Sequence, residues 1–165
     1  MLANEELVVG FLAAMGRADI DALSEMLADD ATWWLAGDLP VSGLYRGKPA
    51  VIGEFLWSAA VLFEPGSLSF ELRNTIIAAG AVIAEYIGTG RALNGGGQYR
   101  NTYCTIFECR DGQISAVREH FDSAHARQVL YPTDDRQTSG QHDSAAVDDR
   151  LSRQNAPRKA RNVDV

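Results

Sequence analysis

The sequence predicts an α+β fold in which helices cover one concave face of a curled antiparallel sheet. Three observations predict it. Apolar residues recur at helical spacing up to about residue 63, strand-like segments follow one another from residue 68 to residue 122, and the links between those segments are only a few residues long. Short links join antiparallel strands, whereas parallel strands need long crossovers, so the second half reads as a meander and the helices as its cover.

A first helix is expected from Asn4, a capping residue type, with Leu7, Val8, Phe11, Leu12 and Met15 on one face and Gly16 ending it. Asp19 is placed to cap a second helix that turns Ile20, Leu23, Met26 and Leu27 inward. ATWWLAG, residues 31–37, reads as a short strand, and DLPVSGLYRGKP, residues 38–49, as a turn-rich link. A third helix is expected from about Pro49 to Phe63, because proline suits a first helical turn and Val51, Ile52, Phe55, Leu56 and Ala59 form a stripe. Pro65-Gly66 stops it. The long strands SLSFELRNTIIAA, AVIAEYIGTGRAL, QYRNTYCTIFEC and QISAVREHFD then follow, separated by Ala79-Gly80, the cluster Asn94-Gly95-Gly96-Gly97 and Arg110-Asp111-Gly112.

The chain of 165 residues is long enough for one domain with a core and a cavity of small-molecule size. Its apolar fraction of 46% and charged fraction of 22% are those of a soluble globular protein. A formal net charge of -7 and the lack of a basic stripe in residues 1–130 argue against a nucleic-acid partner. No apolar run reaches the ~18 residues of a membrane span, and the start MLANEELVVGF lacks the marks of a signal peptide, so a cytoplasmic protein is expected. The ordered domain is expected over residues 1–132. Residues 133–165 hold no aromatic side chain and few aliphatic ones, and are expected to form a disordered or loosely attached tail. Cys104 and Cys109 lie in one strand segment, roughly 16 Å apart at ~3.3 Å per residue, too far for a disulfide. They read as free, buried thiols on opposite faces, an arrangement that disfavours a shared metal.

Within ISAVREHFD, alternation sends Val117, Glu119 and Phe121 to one face and Ala116, Arg118, His120 and Asp122 to the other. A carboxylate therefore stands between a valine and a phenylalanine. Three segments, FLAAMGRADIDALSEMLADDATW, SGLYRGKPAVIGEF and YRNTYCTIFECRDGQISAVREHFD, taken in this order, resemble the nuclear transport factor 2-like superfamily, especially its SnoaL-like and ketosteroid-isomerase-like members. The resemblance covers residues 2–129. It implies a cystatin-like α+β roll with a conical, largely apolar pocket and an outer sheet face that pairs two subunits. It also implies that Trp33, Leu35, Tyr86, Tyr99, Asn101, Tyr103, Val117 and Phe121 contact the substrate and that Glu119 sits inside the cup, with Thr102, Cys104, Ile106, Arg118 and His120 outside.

A carboxyl group stripped of water by such walls has a raised pKa and becomes useful for proton transfer near neutrality. Asn101, Tyr99 and Tyr103 supply polar tips suited to orient a carbonyl, hydroxyl or epoxide. Ketosteroid isomerases use an aspartate base with tyrosine and protonated-acid donors; the matching positions here are Leu35, Phe11 and Thr105, so that mechanism is not expected. Limonene epoxide hydrolases place an acid where Glu119 stands, but their water-holding partners are replaced here by Trp33, Leu35, Tyr86 and Gly88.

Asp122 occupies a recurrent acidic position of the SnoaL-like pattern and is a second catalytic candidate, with capping of the helix SAHARQVL as its structural alternative. His120, Asp122 and His125 match no metal-ligand spacing, and no serine-nucleophile, phosphate-loop or paired-cysteine motif occurs. Neither a metal nor another cofactor is expected. The leading expectation is a homodimeric enzyme of isomerase, cyclase, dehydratase or epoxide hydrolase type, acting on an apolar metabolite by acid/base chemistry. The alternative is a non-catalytic ligand-binding or dimerisation module of the same fold.

Overall fold

A computed structural model of the chain describes residues 3–95 and 97–132. The expected tail, residues 133–165, and Gly96 of the expected glycine turn lie outside the described residues.

Helix α1, Ala3–Arg17, begins before Asn4 and runs past Gly16, so neither residue bounds it as the sequence suggested. Its end is made by Ala18, which adopts the left-handed conformation at φ 54° while its N–H donates to the Met15 carbonyl (3.1 Å) and that of Asp19 to the Ala14 carbonyl (3.0 Å). Helix α2, Ile20–Met26, starts as expected at Asp19, whose carboxylate accepts from the Ala22 N–H at 3.2 Å.

Strand β1, Leu27–Leu35, begins earlier than residue 31, and the turn-rich link contains a short strand β2, Gly43–Arg46, paired antiparallel to β1 with Trp33 opposite Tyr45. The third helix has two parts. A π-helical segment, Ala50–Leu56, with the Trp57 N–H reaching back five residues to the Ile52 carbonyl, runs into helix α3, Trp57–Ala60. Strands β3 (Ser69–Ala78), β4 (Ala81–Ala92), β5 (Gly97–Arg110) and β6 (Gln113–Phe121) form the expected meander, and helix α4, Ser123–Leu130, closes the described chain. The β5–β6 link is a two-residue turn in which Asp111 (φ 53°) and Gly112 (φ 79°) are both left-handed, the geometry that matches strand twist in a hairpin.

The six-stranded sheet is ordered β2-β1-β6-β5-β4-β3. It is curved and not closed. One pairing departs from the all-antiparallel expectation: β1 and β6 are parallel, with Trp33 beside Val117 and Leu35 beside Glu119. Short links dictate direction only between consecutive strands, and β1 and β6 are separated by most of the sheet.

The concave face and the helices enclose the core. Trp33 is fully buried against Phe11 (ring centroids 6.0 Å apart) and Phe55 (5.0 Å), and burial of each such side chain stabilises the fold by about 1.5–3 kcal/mol. Along β5, Tyr99, Asn101, Tyr103, Thr105 and Phe107 are buried while Arg100, Thr102 and Cys104 are exposed. The expectation of two buried thiols therefore fails: Cys104 is exposed on the convex face, where alternation sends it, and Cys109 is half-buried. That face also carries exposed Trp34, whose ring meets His120 edge-on at 5.2 Å, together with exposed Leu44 and Ile76 and an Arg118–Glu108 ion pair. No helix among the described residues is long and apolar enough to cross a membrane.

Candidate active site

Glu119 is carried into the concave face by the alternation of β6, and the residue is 6% exposed. One hydrogen bond reaches it, from Trp33 Nε1 to Oε2 at 3.0 Å. Parallel pairing makes this contact possible, because it seats Trp33 two residues along β1 from the Leu35 that faces Glu119. Burial pushes the Glu119 pKa up to about 8 from 4.5, and the Trp33 N–H, which favours the ionised form, opposes the rise. The adjacent Arg118 points to the convex face and is paired with Glu108. Near neutral pH the group is therefore mostly a neutral acid with one engaged oxygen.

Glu119 lines two adjoining apolar cavities. The larger, about 110 Å³, is bounded by residues of α1, α2, α3 and the start of the meander, among them Met15, Leu23, Leu56 and Phe70. The smaller, about 60 Å³, is bounded by Leu35, Leu39, Val41, Phe121, Leu130 and Tyr131, among others. Tyr103, Phe55, Ala59 and Phe63 border both cavities together with Glu119.

Tyr103 is held face to face between Tyr86 (4.9 Å, 5°) and Phe121 (5.4 Å, 13°). Gly88 makes room for it: a Cβ there would stand 2.8 Å from Tyr103 Cε2. The Tyr103 hydroxyl lies 2.6 Å from that of Tyr99, which in turn accepts from Asn101 Nδ2 at 3.0 Å. Asn101 is fixed by the Asp122 backbone, donating to its carbonyl (2.9 Å) and accepting from its N–H (3.2 Å).

The hydrogens of this network outnumber its acceptors. Both amide hydrogens of Asn101 are used, and one hydroxyl hydrogen joins the two tyrosines. The other has no acceptor among the described residues and is available to a ligand, since Tyr99 and Tyr103 both border the smaller cavity. Burial pushes Tyr99 up to about 12 and Tyr103 well above the ordinary phenol value, with the nearby Glu119 adding to both, so these hydroxyls keep their hydrogens. The wall of the smaller cavity thus holds two kinds of donor, the Glu119 acid and a phenol.

Not every residue singled out from the sequence borders a cavity. Leu35, Tyr99, Tyr103, Phe121 and Glu119 do. Trp33, Tyr86, Asn101 and Val117 stand behind these walls as buried supports; Tyr86 bonds Thr105 at 3.0 Å. Asp122 is exposed, and its carboxylate accepts from the His125 N–H at 2.9 Å as the cap of α4, apart from both cavities. His120 lies on the convex face against Trp34, and His125 stacks on Tyr99, so the two histidines do not converge. Among the described residues no group of His, Cys, Asp or Glu is arranged to hold a metal ion.

Sequence reasoning missed the helical walls and Tyr131. Phe55, Leu56 and Ala59 were visible as an apolar stripe, but periodicity is the same for a residue packed in a core and one facing a hollow. Tyr131 gave no signal beyond marking the end of the folded segment.

The SnoaL-like domain family matches this chain over residues 8–117. No curated protein matches it. Among solved structures, Bal32a from a soil-derived mobile gene cassette is 23% identical and superposes with a TM-score of 0.70, over 78% of this chain and 96% of its own. A putative isomerase from Bacillus subtilis is 23% identical with a TM-score of 0.66, over 79% and 96% of the two chains. TerC, co-crystallised with polyporic acid, is 19% identical with a TM-score of 0.69, over 78% and 98%. These likenesses concern the fold. With the family match covering most of the helices and sheet just described, the chain belongs to the SnoaL-like domain family and has the nuclear transport factor 2-like fold.

Proposed function

We propose that the protein is an enzyme that performs acid/base chemistry with Glu119, without a cofactor, on an apolar metabolite. One observation carries this reading: a carboxyl group with a pKa near 8 is buried where two apolar cavities adjoin, and its only hydrogen-bond partner among the described residues is an indole N–H. A neutral Glu119 can protonate an epoxide, hydroxyl or carbonyl oxygen while a phenol hydrogen supports the same oxygen. The carboxylate left behind is held by Trp33 Nε1 and can then take a proton from carbon or from water. Isomerisation, cyclisation, dehydration and epoxide opening all use these two steps. We further propose that two copies pair through the convex face bearing Trp34, Leu44 and Ile76.

The test is Glu119→Gln, which keeps size and an acceptor for Trp33 but cannot transfer a proton. An aryl epoxide, a β,γ-unsaturated ketone and a β-hydroxy ketone are offered to both proteins. The reading requires turnover of at least one by the native chain and a fall in kcat of about 10²-fold or more in the variant, with KM little changed. Equal turnover removes the assigned role.

A second reading, a ligand-binding module without chemistry, draws on the absence of a second carboxylate or a histidine from the cavity walls among the described residues. Ligand binding without turnover of any of the three substrates supports it.

A further inference from the structure

The two cavities share Glu119 and Tyr103 and differ in everything polar beyond that pair. The larger is otherwise walled by aliphatic and aromatic side chains with Met15, and the indole of Trp57 is its one further group with a polar atom. The smaller also has Tyr99 and Tyr131 in its wall; Tyr131 is half-buried, and its hydroxyl oxygen is enclosed with no hydrogen-bond partner among the described residues. Polar neighbours that could have served it are engaged elsewhere: Tyr45 gives its hydroxyl hydrogen to the Val41 carbonyl at 2.8 Å, and Arg127 is directed at Asp38. An unpaired buried hydroxyl destabilises the protein that carries it, and a ligand that supplies the missing partner offsets the loss on binding.

The shared wall also orders the site along its length. Glu119 and Tyr103 are the polar residues among those that border both hollows, so a molecule occupying both passes them between its two ends. A compact ligand confined to one hollow would leave the other to water, which apolar walls do not hold well.

We propose that the two cavities form one binding site for an elongated molecule with two apolar arms, whose central acceptor oxygen lies at Glu119 and Tyr103 and whose arm in the smaller cavity carries a hydroxyl or carbonyl paired with Tyr131. Tyr131 is then a specificity-determining residue that selects substrates oxygenated on one arm. The proposal rests on the acid/base reading only in calling the central oxygen the reacting one.

Benzophenone and 4-hydroxybenzophenone are suitable probes, each a ketone between two rings, the second with a hydroxyl on one ring. Binding of both to the full chain and to Tyr131→Phe is measured by calorimetry. The native chain is expected to prefer the hydroxylated probe by about ten-fold, the worth of one added hydrogen bond. In Tyr131→Phe that preference disappears while the affinity for benzophenone stays within about two-fold. A preference that survives in the variant, or benzophenone that does not bind the native chain, overturns the proposal.

Ultraviolet activation of bound benzophenone gives a second readout that needs no variant. Because the excited ketone inserts into nearby C–H bonds, peptide mapping is expected to find the label on the segment holding Phe55, Ala59 and Phe63; labelling confined to other segments overturns the central placement. The outcome is separable from that of Glu119→Gln: loss of the catalytic reading leaves the Tyr131-dependent preference intact, and loss of that preference leaves turnover by Glu119 intact.

Discussion

Trp33 Nε1 donates to Glu119 Oε2 at 3.0 Å across 86 residues of sequence, and this bond is the one polar contact of the buried acid among the described residues. It favours the carboxylate, yet burial outweighs it and leaves the pKa near 8. An indole N–H is a neutral donor, and one such bond does not replace the hydration that a carboxylate loses on burial.

Stability should therefore fall as pH rises. With a folded pKa of about 8 and an unfolded value of 4.5, the folded state holds one more proton than the unfolded state between those values. Below pH 4.5 both states are protonated and the group costs nothing; the loss accumulates through the window and is complete once the folded group ionises above about 8. The full window is worth roughly 5 kcal/mol. Urea unfolding at pH 5 and pH 8 should show this loss in the native chain and not in Glu119→Gln; parallel slopes would mean the acid is ionised throughout.

Replacing Trp33 by phenylalanine keeps most of the ring and removes the donor. The carboxylate then has no partner, and the Glu119 pKa should move up by about one unit. Infrared titration of the protonated carboxyl band, assigned by its absence in Glu119→Gln, measures the shift. A downward or null shift would contradict the role given to the indole.

Gly88→Ala should be costly for a residue of its size, because the added Cβ meets the Tyr103 ring at 2.8 Å and Phe70 at 3.2 Å. Tyr103 is clamped between two rings and cannot yield freely, so a loss of about 1–3 kcal/mol is expected along with a fall in activity. Gly53→Ala is the control: nothing lies within 4 Å of its Cβ position, and the helical segment should gain up to about 1 kcal/mol. Thermal melting of the two variants should move in opposite directions.

Ala18 closes α1 at φ 54°, a conformation that disfavours any residue with a Cβ. Ala18→Gly should therefore stabilise the chain by about 0.5–1 kcal/mol, the relief of strain exceeding the added freedom of the unfolded glycine. Destabilisation would show that the alanine methyl contributes more to the wall of the larger cavity than its backbone strain removes.

If copies pair through the convex face, Trp34→Glu should convert a dimer to a monomer in analytical ultracentrifugation while leaving melting of the monomer near its native value. Trp34 is 38% exposed in the single chain, so a carboxylate there can reach solvent.

The acid was legible in the sequence because strand alternation is strict: once Val117 and Phe121 face inward, Glu119 must as well. The caps at Asp19 and Asp122 were legible for a similar reason, since a short side chain before an apolar helical run has few other uses. Other features depend on distances that no local pattern encodes. The parallel β1–β6 pairing and the Trp33–Glu119 bond follow from where the last strand inserts, and the hollows beside Phe55 and Phe63 follow from what fails to fill them. Ala18, an exposed residue, closes α1 in the left-handed conformation through the backbone bonds to Met15 and Ala14, and nothing in its side chain marks it for that role, which is why glycine was the expected terminator.

The position of β6 between β1 and β5 carries a consequence for biosynthesis. The last of the described strands to leave the ribosome is an interior one, so the β1–β2 pair and the β3–β5 meander each wait with a bare hydrogen-bonding rim facing the gap it will fill. A nascent chain arrested before residue 113 would have no acid in place and two adhesive strand borders, making premature termination a route to aggregates rather than to a partly active fragment.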